Sequence, residues 1–403
     1  TVWTLFAAVA LGSTGYIAAV TVGTIAAAEL AGTAGLGGLP TAATVIGTAA
    51  TVALLSAYML RRGRRSGVLL GLGVGAVGGL VAVAAVVIGS VPLLLAGSAL
   101  AAAANGTAQL ARYLGADLYG TAGRAAALGT VVWGATVGSV VGPNLTGVAG
   151  RVAEAAGLPI LSGAYVLTLG FSVLALVIAA VFLRPEPYAL VDSAAFDAPA
   201  TQGPPPSLGQ LFGATPVRVA LVALVAGQVV MVLIMTMTPI HIRDHGHGLD
   251  TVGFVLSAHT FGMFALSPLS GRLTDRYGGP AVIALGFGGL AVASALAAAA
   301  PGDGGPMLTF ALFLLGFGWN LSFVAGSALL TQGLGLAERT RVQGIADAVV
   351  WSSAAVASIA SGVVVAGTSY TVLGLLGVAL LVGPSVMVAA RWPSLRAARL
   401  APS

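Results

Sequence analysis

GVLLGLGVGAVGGLVAVAAVVIG, residues Gly67–Gly89, carries no charged side chain. The hydrocarbon core of a bilayer is ~30 Å thick, and a helix crosses it with about 20 residues. The run therefore reads as a membrane span. In lipid only helices and closed barrels satisfy their own backbone hydrogen bonds. A barrel strand is about half as long and alternates polar with apolar residues. This run does neither, so it is a helix.

Working outward, eleven further apolar runs have the same character. They lie near 3–28, 39–60, 92–116, 123–149, 160–183, 214–240, 250–272, 280–300, 306–332, 341–366 and 369–391. Hydrophobic residues make up 58% of the 403 positions and charged residues 7%. A soluble domain carries about 25% charged residues, so this chain has too few to solvate a surface and lipid is its expected partner. The 58 glycines are spread through the spans, where small residues let helices approach closely. There is no paired-carboxylate, nucleophile or phosphate-loop signal, so no enzyme activity is expected. Cysteine is absent, which excludes disulfides and thiolate metal sites. The chain opens directly in an apolar run, with no charged segment or cleavage site that reads as a signal peptide.

The net charge of +5 would suggest nucleic acid in a soluble protein. Here topology accounts for it, and no nucleic-acid partner is expected. Every basic residue is an arginine, and with alternating spans fifteen of the seventeen fall on one side. Only Arg151 and Arg243 fall on the other. The positive-inside rule places both termini in the cytoplasm. The one long polar segment, with Pro185, Pro187 and Pro204 to Pro206, divides the chain six plus six. The expected domains are 1–183, a cytoplasmic linker 184–213, and 214–403. The halves look duplicated: Asn105 and Asn320 stand 215 positions apart, and Trp133 and Trp351 each close a Val-Val-Trp triplet. Paired halves with the substrate path between them are a recurring transporter plan.

Gly271-Arg272-Leu273-Thr274-Asp275-Arg276-Tyr277-Gly278-Gly279 resembles the Gly-x-x-x-Asp-Arg-x-Gly loop of the major facilitator superfamily. That resemblance implies twelve helices in two pseudo-symmetric bundles. It also implies a conformational latch built on Asp275 and Arg276. In the first half Leu60 stands where the acid belongs, and only the basic cluster Arg61 to Arg65 remains.

All four histidines, and four of the seven methionines, lie between positions 231 and 263. Met231 and Met235 are four apart on the seventh span, and His259 and Met263 four apart on the eighth. Residues at that spacing share a helix face. Counted from the outer ends of their spans, Met231 and His259 both lie about 13 Å deep. Thioether sulfur with imidazole and no carboxylate suits Cu(I) rather than Ca, Mg or Mn. Neutral thioethers also line a path without burying charge. The two spacings resemble the Met-x-x-x-Met and His-x-x-x-Met motifs of the CcoA-like bacterial copper importers. The resemblance implies metal binding by Met231, Met235, His259 and Met263, and copper uptake into the cytoplasm. Copper is then the cargo, with no permanently bound cofactor. Met237, His241, His245 and His247, at and beyond the outer end of the seventh span, are candidates for metal capture from outside; an ordinary polar loop is the plainer reading.

Other intramembrane polar groups are Asn105, Gln228 and Asn320, expected to line the cavity. Asp117, Asp347 and Glu29 are candidates for coupling, the first two equally for ion pairs at the cytoplasmic rim. The expectation is a monomeric copper importer of the bacterial inner membrane, working by alternating access. The alternative is a proton-coupled exporter of small organic compounds. Gly138 to Asn144 resembles the Gly-Pro stretch of facilitator antiporters, but mid-membrane acids are scarce.

Overall fold

The computed structural model describes residues 2–117, 124–184, 207–301, 305–332, 334 and 336–400. The expected linker falls mostly outside the described residues. The first half runs α1 (Val2–Ala31), α2 (Leu39–Arg62), α3 (Arg64–Ile88), α4 (Val91–Ala101), α5 (Ala103–Asp117), α6 (Arg124–Ala155) and α7 (Ser162–Phe182). A short α8 (Leu208–Gly213) precedes α9 (Thr215–Asp244), α10 (Leu249–Phe264), α11 (Ser267–Tyr277), α12 (Gly279–Ala299), α13 (Pro306–Leu330), α14 (Leu336–Gly367) and α15 (Tyr370–Leu400). Eleven stretches of the described residues are long and apolar enough to cross a bilayer. The fifth expected span is occupied by α6.

Three helices depart from the sequence expectation. The fourth span is two helices, α4 and α5, parted at Ala102. The eighth is parted at Ala265–Leu266 into α10 and α11. Pro268 explains that break, since its ring and missing N–H interrupt a helix but suit a first turn. The seventh runs on through Pro239 to Asp244. His241 is therefore helical rather than in a loop. The helix stops at Gly246, whose φ of 83° suits a residue without a Cβ.

The chain forms two compact units, Thr1–Ala198 with Pro239–Ser257, and Pro199–Thr238 with Ala258–Ser403. In the first, α1 packs on α6 and α7, and α3 on α4 and α7. Gly134, Gly138 and Gly142 of α6 form a stripe against the α1 backbone. A Cβ at Gly138 would lie 2.7 Å from the Ala10 carbonyl oxygen, and one at Gly142 2.6 Å from that of Thr14. The Gly-Pro stretch is thus a helix-packing face. Asn105 donates to the Thr48 hydroxyl at 3.3 Å. An Arg65 N–H donates to the Ala180 carbonyl at 2.7 Å, where a cation suits the C-terminal end of α7.

The C-terminal end of α9 and the N-terminal part of α10, Pro239–Ser257, belong to this unit. The Ser257 hydroxyl donates to the Val140 carbonyl, and the Asn144 amide donates to Ser257. One turn further out Gly253 sits where a Cβ would strike the Pro143 carbonyl. At the rim Arg151 pairs with Asp250, and Arg243 with Glu29 at 3.2 Å. The two arginines that the sequence sets apart from the other fifteen are therefore both ion-paired. Ile25, Glu29, Thr33, Ile240, Arg243 and Asp244 are among the residues around a cavity of about 260 Å³ at that rim.

In the second unit α12 packs on α13 and α15, and α11 on α12 and α13. Thr238 and Tyr370 share a buried hydroxyl–hydroxyl bond of 2.8 Å.

Candidate functional site

The four residues expected to hold metal all fall in the second unit. Met231 and Met235 lie one turn apart on α9, the first buried and the second half-buried. His259 and Met263 lie one turn apart on α10, with His259 fully buried and Met263 half-buried.

His259 is placed by glycine. At Gly316 a Cβ would collide with the His259 carbonyl and lie 3.0 Å from the Met263 nitrogen. At Gly262 it would collide with the Phe313 carbonyl. The two glycines let α10 and α13 meet backbone to backbone. That approach brings His259 Nδ1 to 2.9 Å from the Leu312 carbonyl oxygen. A carbonyl only accepts, so Nδ1 carries the proton and Nε2 the lone pair. Nε2 is buried without a hydrogen-bond partner. Metal-ligating histidines are commonly oriented in this way, by a carbonyl on the other ring nitrogen.

Beneath lies a polar cluster. Trp319 Nε1 donates to Gln228 Oε1 at 2.8 Å, and both side chains are buried. Gln228 precedes Met231 by one turn. Trp319 stacks on Phe323 with ring centres 4.7 Å apart, and Phe264 meets it edge-on at 6.3 Å. The Asn320 amide donates to the Met263 carbonyl at 2.6 Å and to the Ser267 hydroxyl at 2.8 Å, while its oxygen accepts from Ser270.

The outer histidines are arranged differently. His241 and His245 have ring centres 4.6 Å apart, and His245 Nδ1 meets the His241 carbonyl at 2.8 Å. His247 is half-buried in the turn that ends α9, and Met237 is fully buried. Among the described residues no three His, Asp or Glu side chains converge to hold a metal.

Asp275 and Arg276 lie exposed in the last turn of α11, with the Arg276 guanidinium 5.2 Å above the Tyr277 ring. Asp347 is exposed on α14. Glu29 is held by Arg243. The side chain of Asp117 lies outside the described residues. Sequence reasoning missed Trp319, the Leu312 carbonyl and the Ser257–Asn144 bond. A backbone oxygen 53 residues from its histidine leaves no mark in a sequence.

Eleven apolar helical stretches long enough to span a bilayer, an acid–arginine pair in the last turn of α11 and a buried polar cluster among α9, α10 and α13 fit a secondary transporter. The chain belongs to the Major Facilitator Superfamily, whose model matches residues 3–251 and 219–401. It is 36% identical over 368 residues to the "Uncharacterized MFS-type transporter YdeG" of Bacillus subtilis, covering 91% of this chain and 86% of that one. It is 28% identical over 358 residues to the "Riboflavin transporter RfnT" of Brucella anthropi, covering 88% and 86%. The nucleoside transporter NupG shares the fold with a TM-score of 0.74 at 14% identity, over 97% of this chain and 98% of that one. The D-xylose-proton symporter does so with 0.71 at 17%, over 95% and 96%.

Proposed function

We propose that this transporter carries copper ions inward across the bacterial cytoplasmic membrane, with Met231, Met235, His259 and Met263 as successive ligands. The observation that carries the reading is the buried, unpartnered Nε2 of His259, its other nitrogen fixed by Leu312. A buried acceptor left unbonded costs free energy, about 1–3 kcal/mol. A ligand that arrives and leaves is one way to offset that cost during turnover. Thioethers on the neighbouring turns suit Cu(I) and add no charge to the membrane interior. Copper is cargo in this reading, and the chain works as a monomer with both termini in the cytoplasm.

A second reading is a carrier of flat organic compounds. Its support is the Phe264–Trp319–Phe323 cluster beside Gln228, together with the likeness to a riboflavin transporter. Vesicle uptake decides between them. Radioactive copper is compared with zinc, nickel and riboflavin in the parent and in well-folded Met231→Leu and His259→Leu variants. These leucines keep apolar bulk and delete the ligand atom. Copper uptake that falls in both variants supports the first reading. Riboflavin uptake without copper uptake supports the second and ends the first.

A further inference from the structure

We propose that Asn320 is the positioning residue for the Met263 sulfur, acting as a clamp across the break in the eighth span. This rests on the reading of Met263 as a copper ligand.

A thioether hangs on three rotatable bonds, so its reach is set by where its backbone is anchored. Met263 is the penultimate residue of α10, and helix resumes only at Ser267. In an unbroken helix the Met263 carbonyl would accept from the Ser267 N–H four residues on. Here the helix is interrupted between the two residues, at Ala265–Leu266. Asn320, from α13, takes the place of that N–H. One N–H of its amide goes to the Met263 carbonyl on the α10 side, the other to the Ser267 hydroxyl on the α11 side. Its oxygen accepts from Ser270, one turn further along α11. A single side chain thus ties both ends of the break.

The same bonds argue against Asn320 as a ligand itself. Both amide hydrogens are taken by the protein, and the oxygen already accepts a bond. The site gains in a second way. The C-terminal end of a helix carries partial negative charge. Ending α10 beside Met263 therefore favours a cation at that depth without a carboxylate.

The chain contains no cysteine, so Met263→Cys introduces a single thiol at the position in question. Its alkylation by a membrane-permeant maleimide is followed with Asn320 present and with Asn320→Leu. Release of the clamp should change the rate roughly tenfold, the scale set by losing a buried hydrogen bond. The copper KM is then measured as a double-mutant cycle. Asn320→Leu should raise KM when Met263 is present and add nothing in the Met263→Leu background. If Asn320→Leu does not fold, Ser270→Ala, which frees only one arm of the clamp, should give a smaller shift of the same sign. An unchanged alkylation rate, or an equal rise in KM in both backgrounds, overturns the proposal. A parent that carries no copper but shows the alkylation shift ends the copper reading and leaves the hold of Asn320 on position 263 standing.

Discussion

Asn105 donates to Thr48 in the first half, and 215 positions later Asn320 donates to Met263. The offset is the same for both partners, since 320 − 105 and 263 − 48 each give 215. The duplication therefore extends to a hydrogen bond between equivalent spans. What differs is the partner atom. In the first half it is a side-chain hydroxyl on an unbroken α2. In the second it is a main-chain carbonyl at a helix break. The span equivalent to the broken eighth is continuous in the first half.

Gly316 holds α13 close to His259, and a bulky residue there must push the two backbones apart. Gly316→Val should abolish transport and lower thermal stability, since overpacking costs about 1–3 kcal/mol or more. Gly288→Val on α12 is the control, because a Cβ there meets nothing within 4 Å. Unfolding temperature and uptake are measured for both. Equal behaviour of the two variants would remove the argument that this contact places the histidine.

Where the end of α6 meets the start of α10, packing should outweigh charge. The Arg151 and Asp250 side chains are 58% and 61% exposed, and exposed pairs contribute about 0–1 kcal/mol. Asp250→Asn should shift the melting temperature slightly, and less so in high salt. Gly253→Leu should lower it much more, because its side chain would drive into the Pro143 carbonyl. Thermal melts at two salt concentrations give the ranking. A larger loss for Asp250→Asn would reverse the order of importance assigned to this seam.

Asp275 lies in the last turn of α11 beside Arg276. If the pair works as a conformational latch, Asp275→Asn should alter how readily the protein changes state while leaving metal binding in place. Single cysteines on either face of the parent and the variant report this through labelling rates. Unchanged labelling on both faces would remove the role.

Much of the fold was legible because lipid leaves few options. Apolar runs of span length set the helices without tertiary detail. The departures have local causes of unequal visibility. Pro268 marks the break in the eighth span. The parting at Ala102 lies in a run of alanines and has no such mark. The Arg151 and Arg243 exceptions were visible as exceptions, but their acids, Asp250 and Glu29, are 99 and 214 positions away. At the candidate site, periodicity picks out the pairs Met231/Met235 and His259/Met263 because four-residue spacing is a property of one helix. It was silent on what orients His259 and on the clamp at Met263, because both depend on which helix lies alongside.

Pro239 inside α9 has a consequence for the main chain one turn before it. Proline has no N–H, so it offers no helix bond to the carbonyl four residues back, which is that of Met235. Met235 thus brings a main-chain oxygen as well as a sulfur to its turn of the helix. Such a carbonyl absorbs at a higher amide I frequency than its fully bonded neighbours. Isotope labelling at this one position would therefore give an infrared marker inside the membrane, sensitive to any cation or water that comes to rest there.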